Sequence, residues 1–255
     1  PTAGLEIILD LPPLDLRVKC EAEIKRKRIG GLTDRSSAVN AKDPYEVCIG
    51  NGQPDPNPSR ITVFTDGSKM NNKTRAGVII QGEVAHEESI KLPDHATVFQ
   101  AETVALCRAA EVLLDRGTNN TEIEIYSDSQ AAIRALEGPK FKAKTSIRTR
   151  NLYEALASRN NKIKINWIKA HVGHPGNERA DALAKEGCDA TNTRQVPPSM
   201  AAVKEEAKNE MLERWRDRWE RSTEYRQTKF WFKNRCRKKS DSLIRLSRPT
   251  LEGVI

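Results

Sequence analysis

The order of strand-like and helical segments across residues 61–190 constrains the fold of this 255-residue chain most strongly. Three segments with the apolar pattern of strands, ITVFTDG, AGVIIQ and VAHEESIK, follow one another across short turns, which predicts an antiparallel meander. Two further strands, TEIEIYSD and KIKINWIK, alternate with helical segments, which predicts parallel pairing. The order therefore predicts an α/β fold, with a five-stranded mixed sheet and helices on both faces.

The flanking segments differ from this region in composition. Residues 1–30 combine short apolar runs with the basic cluster Lys25–Arg28, which fits a helical hairpin. Residues 31–60 are rich in Gly, Pro, Asn, Asp and Ser, so we expect a flexible linker there. Residues 191–255 form a basic, aromatic tail, whose apolar residues at four-residue steps predict one long amphipathic helix from Ser199 to about Lys239.

The charge of the chain points to a polyanionic partner. The formal net charge is +8, from 43 Lys and Arg against 35 Asp and Glu, and residues 196–255 carry 15 basic groups against 9 acidic groups. Such a balance favours nucleic acid as the partner. The aromatic residues of the tail either stack on nucleic acid or pack against protein, and the sequence leaves both interpretations open.

Cysteine usage and hydropathy indicate the compartment. The five cysteines lie at wide spacings with no C-x-x-C pair, which disfavours zinc and redox centres and favours reduced thiols in an intracellular protein. No apolar run approaches the roughly 18 residues that cross a bilayer, and the first residues lack a signal-peptide pattern. We therefore expect a soluble protein with no membrane partner. Because the chain starts at Pro1, we also expect it to be a fragment of a longer protein.

Four carboxylates fall where the pattern calls for apolar or small residues. Asp66 and Asp128 each end a predicted strand, and Glu102 lies in the apolar stripe of a helix predicted from Thr97 to about Arg116. Asp181 lies on the last helix of this region. Because the carboxyl ends of parallel strands form sites at one edge of a sheet, we expect these groups to meet there.

A cluster of four carboxylates requires cations to offset its mutual repulsion. Oxygen ligands without cysteine or paired histidine favour Mg²⁺, or alternatively Mn²⁺, over zinc. Two such ions, about 3.5 to 4 Å apart, activate water and stabilise a leaving oxygen in phosphodiester hydrolysis. The sequence therefore predicts a two-metal site. Taken singly, each acid is better explained by a structural role: Asp66 in a turn, Asp128 as an N-cap, Glu102 as a partly exposed helix charge and Asp181 as a salt-bridge partner. Taken together, the four acids favour the metal site.

Four strings resemble the type 1 ribonuclease H family in order and spacing. They are TDGS (65–68), QAE (100–102), SDSQ (127–130) and KAHVGHPGNERADALAKEG (169–187). The resemblance implies that Asp66, Glu102, Asp128 and Asp181 are catalytic metal ligands. It also implies that a histidine assists proton transfer or product release. The family's histidine lies ten residues before the last aspartate, which selects His171 over its rival His174.

The same resemblance implies a substrate and its contacts. Such enzymes read the shape of an RNA/DNA hybrid through phosphates and 2′-hydroxyls and cut only the RNA strand. Gly67, Ser68, Gln130 and Asn177 are implied as nucleic-acid contacts, with Ser68–Asn72 forming a loop near the RNA. In place of the Trp-containing basic protrusion of many members, this chain has the shorter GPKFKAKTSIRTR. Its residues Lys140, Lys142 and Lys144 either bind the hybrid or form a solvated basic face.

The opening PTAGLEIILDLPPLDL resembles the region after the polymerase domain in polyproteins of retrotransposons that lack long terminal repeats. This implies that residues 1–30 are a remnant of that connecting region, and that the partner is a reverse transcriptase polymerase domain. A proofreading exonuclease is disfavoured because its pattern has two acids two residues apart on the first strand, whereas Gly67 and Ser68 follow Asp66 here. An integrase is disfavoured because the integrase pattern does not contain the string HVGHPGNERAD. A catalytically silent hybrid-binding or scaffold domain of a decayed element remains the alternative.

Overall fold

A computed structural model of the protein describes residues 2–31, 45–50, 54, 59–83, 85–137, 143–186, 193–233 and 236–245. It divides into two compact units, one of residues 34–199 and one of residues 1–33 with 200–255. In chain order the elements are α1 (Thr2–Ile8), α2 (Leu14–Gly31), β1 (Glu46–Cys48), β2 (Ile61–Met70), β3 (Lys73–Gln81), β4 (His86–Leu92), α3 (Val98–Asp115), β5 (Glu122–Ser127), α4 (Gln130–Arg134), α5 (Lys144–Ala157), β6 (Lys162–Trp167), α6 (Pro175–Lys185), α7 (Met200–Arg221), α8 (Arg226–Trp231) and α9 (Arg237–Ile244).

The larger unit is built on a mixed sheet with the strand order β1-β6-β5-β2-β3-β4. Strands β2, β3 and β4 form the predicted antiparallel meander, and β5 pairs in parallel with both β2 and β6. The register places Asp66 opposite Gly77 and Thr65 opposite Ser127. The predicted α/β class is therefore confirmed.

The sheet has six strands, so the predicted number of five was wrong. The additional strand β1 pairs in parallel with β6 and lies within residues 31–60, which composition assigned to a flexible linker. Tyr45 precedes it, is buried, and donates its hydroxyl proton to the Leu136 carbonyl at 2.7 Å. Its ring lies edge-on to Tyr153 at 6.0 Å. A three-residue strand shows no periodicity, and it is ordered by the edge of β6 and by burial of one aromatic ring.

Helices cover both faces of the sheet, as predicted. One face carries Val63, Val78 and Ile125, which pack in a core with residues of α3 and α5. The alternate positions Phe64, Ile79 and Tyr126 face the other way and pack against Ala180 and Leu183 of α6. Because side chains alternate across a strand, neighbouring apolar residues in each strand serve opposite cores.

Helix α3 begins where the sequence predicts. The Thr97 side chain accepts a hydrogen bond from the Gln100 backbone, and the Gln100 side chain reaches back to the Thr97 backbone. This capping box satisfies two donors that the first turn otherwise leaves free. It fixes the start of the helix that carries Glu102.

The smaller unit is helical. Ile7, Ile8 and Leu16 from α1 and α2 form a core with Trp215 and Trp219 of α7 and with Phe232. The long helix predicted from Ser199 to Lys239 is instead three helices, because α7 ends at Arg221 and Tyr225 adopts a left-handed backbone (φ 65°). Lys229 donates to the carbonyls of Glu220 and Ser222 and so caps α7. Across the described ranges, no helix is long and apolar enough to cross a membrane.

Candidate active site

Three of the four predicted carboxylates meet in one cluster. Each of Asp66, Glu102 and Asp128 offers an oxygen, and these atoms lie within 4.8 Å of one another. Asp66 and Asp128 follow Thr65 and Ser127, the last residue pair of the parallel β2–β5 ladder, so both lie where that pairing ends. Asp128 follows the end of β5, but β2 continues to Met70 and pairs Asp66 with Gly77, so the prediction that Asp66 ends its strand was wrong. Glu102 reaches the same place from α3, where it is buried.

The cluster requires close approach of α3 to β2, and a glycine permits it. A Cβ atom on Gly67 would lie 2.4 Å from the backbone nitrogen of Glu102, far inside van der Waals contact. The Gly67 backbone N–H donates to the carboxylates of both Asp66 and Glu102 and partly opposes the rise that burial and like charge cause in their pKa values. Gly67 therefore allows α3 to approach β2 and also provides a hydrogen-bond donor for the two carboxylates.

Asp128 does not cap the following helix. Ser129 is the N-cap residue of α4 and accepts a hydrogen bond from the Ala132 backbone. The Trp167 indole N–H donates to the Asp128 carbonyl at 2.9 Å and fixes its backbone. Because Ser129 satisfies the helix terminus, the interpretation of Asp128 as a cap was wrong, and its carboxylate belongs to the cluster.

The fourth carboxylate lies in a second group beside the first. Ligand atoms of Asp181, Glu178 and His171 lie within 4.8 Å of one another. The Lys185 ammonium donates to Asp181 at 2.5 Å. His171 is exposed in a left-handed turn (φ 54°), whereas His174 occupies the backbone cap position of α6. The structure thus brings His171 close to Asp181, and its choice over His174 stays a prediction.

Helix α6 is also placed by glycines. A Cβ on Gly77 would lie 2.1 Å from the Ala180 carbonyl oxygen, and a Cβ on Gly176 would lie 2.2 Å from the Phe64 ring. A larger residue at Gly77 would displace the helix backbone, and a larger residue at Gly176 would displace the Phe64 ring or the helix. These two contacts set the distance between Asp181 and the sheet edge.

The first cluster is short of positive charge. Burial, reinforced by Asp128 and Asp181, raises the pKa of Asp66 to about 7. Burial, reinforced by Asp66 and Asp128, raises the pKa of Glu102 to about 9. Burial also raises the pKa of Asp128, although its own backbone N–H and His171 oppose this. Desolvation and like charges thus act together against ionisation.

These residues fit a divalent cation. Oxygen Oε2 of Glu102 is buried and has no hydrogen-bond partner among the described residues. An unpartnered buried carboxylate oxygen is unfavourable, and the donor set is made only of carboxylate oxygens, which Mg²⁺ prefers. A cation would provide a partner for this oxygen and would offset the repulsion between the carboxylates.

Comparison with known proteins places this geometry in a family. The family model described as RNase H matches residues 58–189, which is 132 of the 255 residues. The chain belongs to the RNase H family. Its enzyme class is therefore ribonuclease H.

Curated relatives match the RNase H region almost over their full length. The ribonuclease H of Herminiimonas arsenicoxydans is 30% identical over 148 residues, covering 52% of this chain and 98% of the relative. That of Aromatoleum aromaticum is 31% identical over 146 residues, covering 51% and 92%. Among solved structures, RNase H1 from Halobacterium salinarum is 28% identical with a TM-score of 0.40, covering 50% of this chain and 96% of that one.

The predicted nucleic-acid contacts of this RNase H chain that the structure describes lie on β2, α4, α5 and α6. Gly67 is buried, and Ser68 is a half-buried residue of β2, so the loop predicted for Ser68–Asn72 is reduced to a turn at Asn71 and Asn72. Gln130 begins α4. Asn177 is buried, and its Oδ1 has no partner among the described residues. Lys144 is exposed at the start of α5, whereas Lys140 and Lys142 lie outside the described residues.

Two residues at the site were not singled out from the sequence. Glu178 precedes Asp181 by three residues, and Lys185 follows it by four, so all three share one helix face. That spacing was visible in the string NERADALAK. Lys185 differs from the other site residues because it provides a fixed positive charge beside the carboxylates.

Proposed function

We propose that this chain hydrolyses the RNA strand of RNA/DNA hybrids. The observation that carries the proposal is the buried cluster of Asp66, Glu102 and Asp128, whose oxygens lie within 4.8 Å at one edge of the sheet. Asp181 lies near enough to raise the pKa values of Asp66 and Asp128. Membership of the RNase H family supports the same reaction.

Asp66, Glu102, Asp128 and Asp181 would hold two Mg²⁺ ions, with Mn²⁺ as the alternative. When bound, such ions supply Lewis-acid activation of water and stabilisation of the leaving oxygen. The unpartnered Oε2 of Glu102 provides one ligand atom. Asp66 is influenced by both Asp128 and Asp181, which supports its place among the residues that would hold the ions.

His171 is assigned to proton transfer at the rim of the site. Its imidazole is exposed and lies beside Asp181 and Glu178. A histidine exchanges protons near neutral pH, and the left-handed turn keeps its ring outside the buried cluster. It would therefore accept or donate the proton at the reacting oxygen, or assist release of the product.

The hybrid would be held through its backbone rather than its bases. We assign Gly67, Ser68, Gln130 and Asn177 to the RNA strand near the carboxylates. The exposed Lys144, together with Lys140 and Lys142, is assigned to phosphates. Contacts to phosphates and 2′-hydroxyls carry no base information, so cutting would tolerate sequence.

The test uses a labelled RNA/DNA hybrid with Mg²⁺, or separately Mn²⁺. We expect wild type to shorten the RNA strand only, and Asp66→Asn and Glu102→Gln to reduce the rate by at least about a hundredfold. Asp94→Asn, at an exposed aspartate, is the matched control and should cut normally. Intact RNA with wild type in both metals would reject the proposal, and binding without cutting would favour the silent hybrid-binding alternative.

We further propose that the enzyme works inside the cell as part of a retrotransposon reverse transcriptase, removing the RNA template after first-strand synthesis. The support is the resemblance of residues 1–16 to the region that follows the polymerase domain in such polyproteins. Sequencing the genomic DNA upstream of the Pro1 codon tests this. An in-frame polymerase domain is expected, and an unrelated reading frame would contradict it.

A further inference from the structure

Three consecutive aromatic residues in the smaller unit have opposite environments. Phe232 is buried in the helical core, and its carbonyl accepts a hydrogen bond from the Trp219 indole at 3.1 Å. Phe230 and Trp231, in contrast, are 75% and 54% exposed. Their rings lie edge-on to each other with centroids 5.4 Å apart. Two large aromatic rings therefore face solvent directly beside a core that accepts the third.

The backbone that carries the exposed rings is held on both sides. The Phe232 N–H donates to the Thr228 carbonyl at 2.8 Å, and the Lys239 ammonium donates to the Trp231 carbonyl at 3.1 Å. Lys229 anchors the start of the same segment by capping α7. The rings are thus displayed by a fixed backbone, which lowers the entropy lost when they bind a ligand.

The segment that carries the two rings is basic. Residues 225–240 contain seven Lys and Arg residues and no Asp or Glu. Arg226 lies four residues before Phe230 and shares its helix face. Lys233 and Lys238 are exposed and form no ion pair within the described ranges. Lys239 is exposed too, and its ammonium lies near the Trp231 backbone.

We propose that Arg226, Phe230, Trp231, Lys233 and Lys239 form a second nucleic-acid site, the aromatic–basic surface, which binds single-stranded RNA or DNA. Unpaired bases stack on the two rings, and phosphates contact the basic side chains. A duplex hides its base faces within the stack, so these rings distinguish single strands from duplexes. The absence of acidic residues in this stretch matches a polyanion better than a mixed-charge protein surface.

This surface is independent of the proposed catalytic function. It lies in the unit of residues 1–33 and 200–255, and it needs none of the carboxylates or a metal ion. Binding is therefore measured with the full chain in EDTA, which prevents cutting. Failure of hybrid cleavage would leave this proposal intact, and failure of this proposal would leave the carboxylate site intact.

The experiment measures the fluorescence anisotropy of fluorescein-labelled oligo(dT) and oligo(rU). We expect Phe230→Ala with Trp231→Ala to weaken binding by about tenfold or more, since each stacked base contributes about 1 to 3 kcal/mol. The matched control is Leu14→Ala with Val18→Ala, which removes two exposed aliphatic side chains of the same unit and should bind as wild type does. Lys233→Ala should reduce the slope of log K against log salt by about 0.7.

A second readout covers the case in which the double variant does not fold. Stacking on Trp231 should quench tryptophan fluorescence when the oligonucleotide is added, and Trp231→Phe should bind within about threefold of wild type but lose that quenching. Unchanged affinity in the double variant, or unchanged quenching in Trp231→Phe, would overturn the proposal. Binding to vesicles of anionic lipid without binding to oligonucleotides would also overturn it, and would identify a membrane surface.

Discussion

Replacing Asp66 by asparagine should stabilise the metal-free protein above neutral pH. The folded state raises the pKa of Asp66 from 3.8 to about 7. Between these values the folded state binds more protons than the unfolded state, so the free energy of unfolding falls as pH rises. The loss begins near the unfolded pKa and is complete above the folded pKa. A shift of about three units corresponds to about 4 kcal/mol at about pH 8.

The asparagine variant has no carboxylate to ionise at this position, so its free energy of unfolding does not include this fall with rising pH. We expect wild type and Asp66→Asn to differ little near pH 4, and the variant to be more stable by up to about 4 kcal/mol near pH 8 in EDTA. Excess Mg²⁺ should reduce or reverse the gap, because wild type binds the cation more tightly than the variant.

Urea unfolding across this pH range, with hydrogen exchange of the β2 and β5 amides, measures the larger unit separately from the helical one. Asp94→Asn is the matched control, because it removes an exposed carboxylate of the same unit and should show no such pH dependence. A stability gap between Asp66→Asn and wild type that stays constant from pH 4 to pH 8 would refute the reasoning.

Three further outcomes are expected from contacts in the larger unit. Gly77→Ala should lower the free energy of unfolding by at least about 3 kcal/mol and abolish hybrid cleavage, because its Cβ would displace α6. Gly50→Ala, which has open space around it, is the control and should be neutral, and normal activity in Gly77→Ala would contradict the prediction. Arg194→Ala should lower the urea midpoint by an amount equivalent to about 1 to 3 kcal/mol, because two 2.7 Å hydrogen bonds from Arg194 to Glu111 hold the segment after α6 against α3. An unchanged midpoint would show that these hydrogen bonds do not stabilise the fold. Lys185→Gln should tighten Mg²⁺ binding about two- to fivefold in a titration followed by tryptophan fluorescence, because the Lys185 ammonium no longer competes with Mg²⁺ for the Asp181 carboxylate in a partly exposed ion pair. Weaker Mg²⁺ binding in the variant would contradict this competition.

The positions of the carboxylates were predictable because they depend on local patterns. Asp66 and Asp128 each follow a run of strand residues, and the parallel pairing of β2 with β5 puts the preceding residues Thr65 and Ser127 opposite each other. That β2 continues past Asp66 to Met70 was not predicted, because it depends on pairing with β3. Glu102 lies in a helix whose start is fixed by the capping box at Thr97. Alternation in the strands and capping in the helix are both properties of a few neighbouring residues, so one sequence is enough to show them.

The features that were missed depend on contacts distant in sequence. Strand β1 has no periodicity of its own, and it is ordered by pairing with β6 and by the hydrogen bond of Tyr45 to a carbonyl 91 residues away. The tail shows the same limit. Its aromatic residues share one composition, yet Trp219 is buried and Trp231 is exposed, because burial depends on contacts with the helices of residues 1–33 as well as with other tail residues.

The instability of the metal-free cluster is what prepares it for a cation. The contacts at Gly67 and Gly77 hold α3 and α6 close to the sheet, which brings the carboxylates on these helices near those that follow the strands. Like charge at this distance adds to burial, and both raise the pKa values of Asp66 and Glu102. A divalent cation has to displace protons from these carboxylates, so its binding should strengthen as the pH rises. Close packing of like charges therefore makes the cluster sensitive to pH and makes a bound cation the partner that offsets its repulsion.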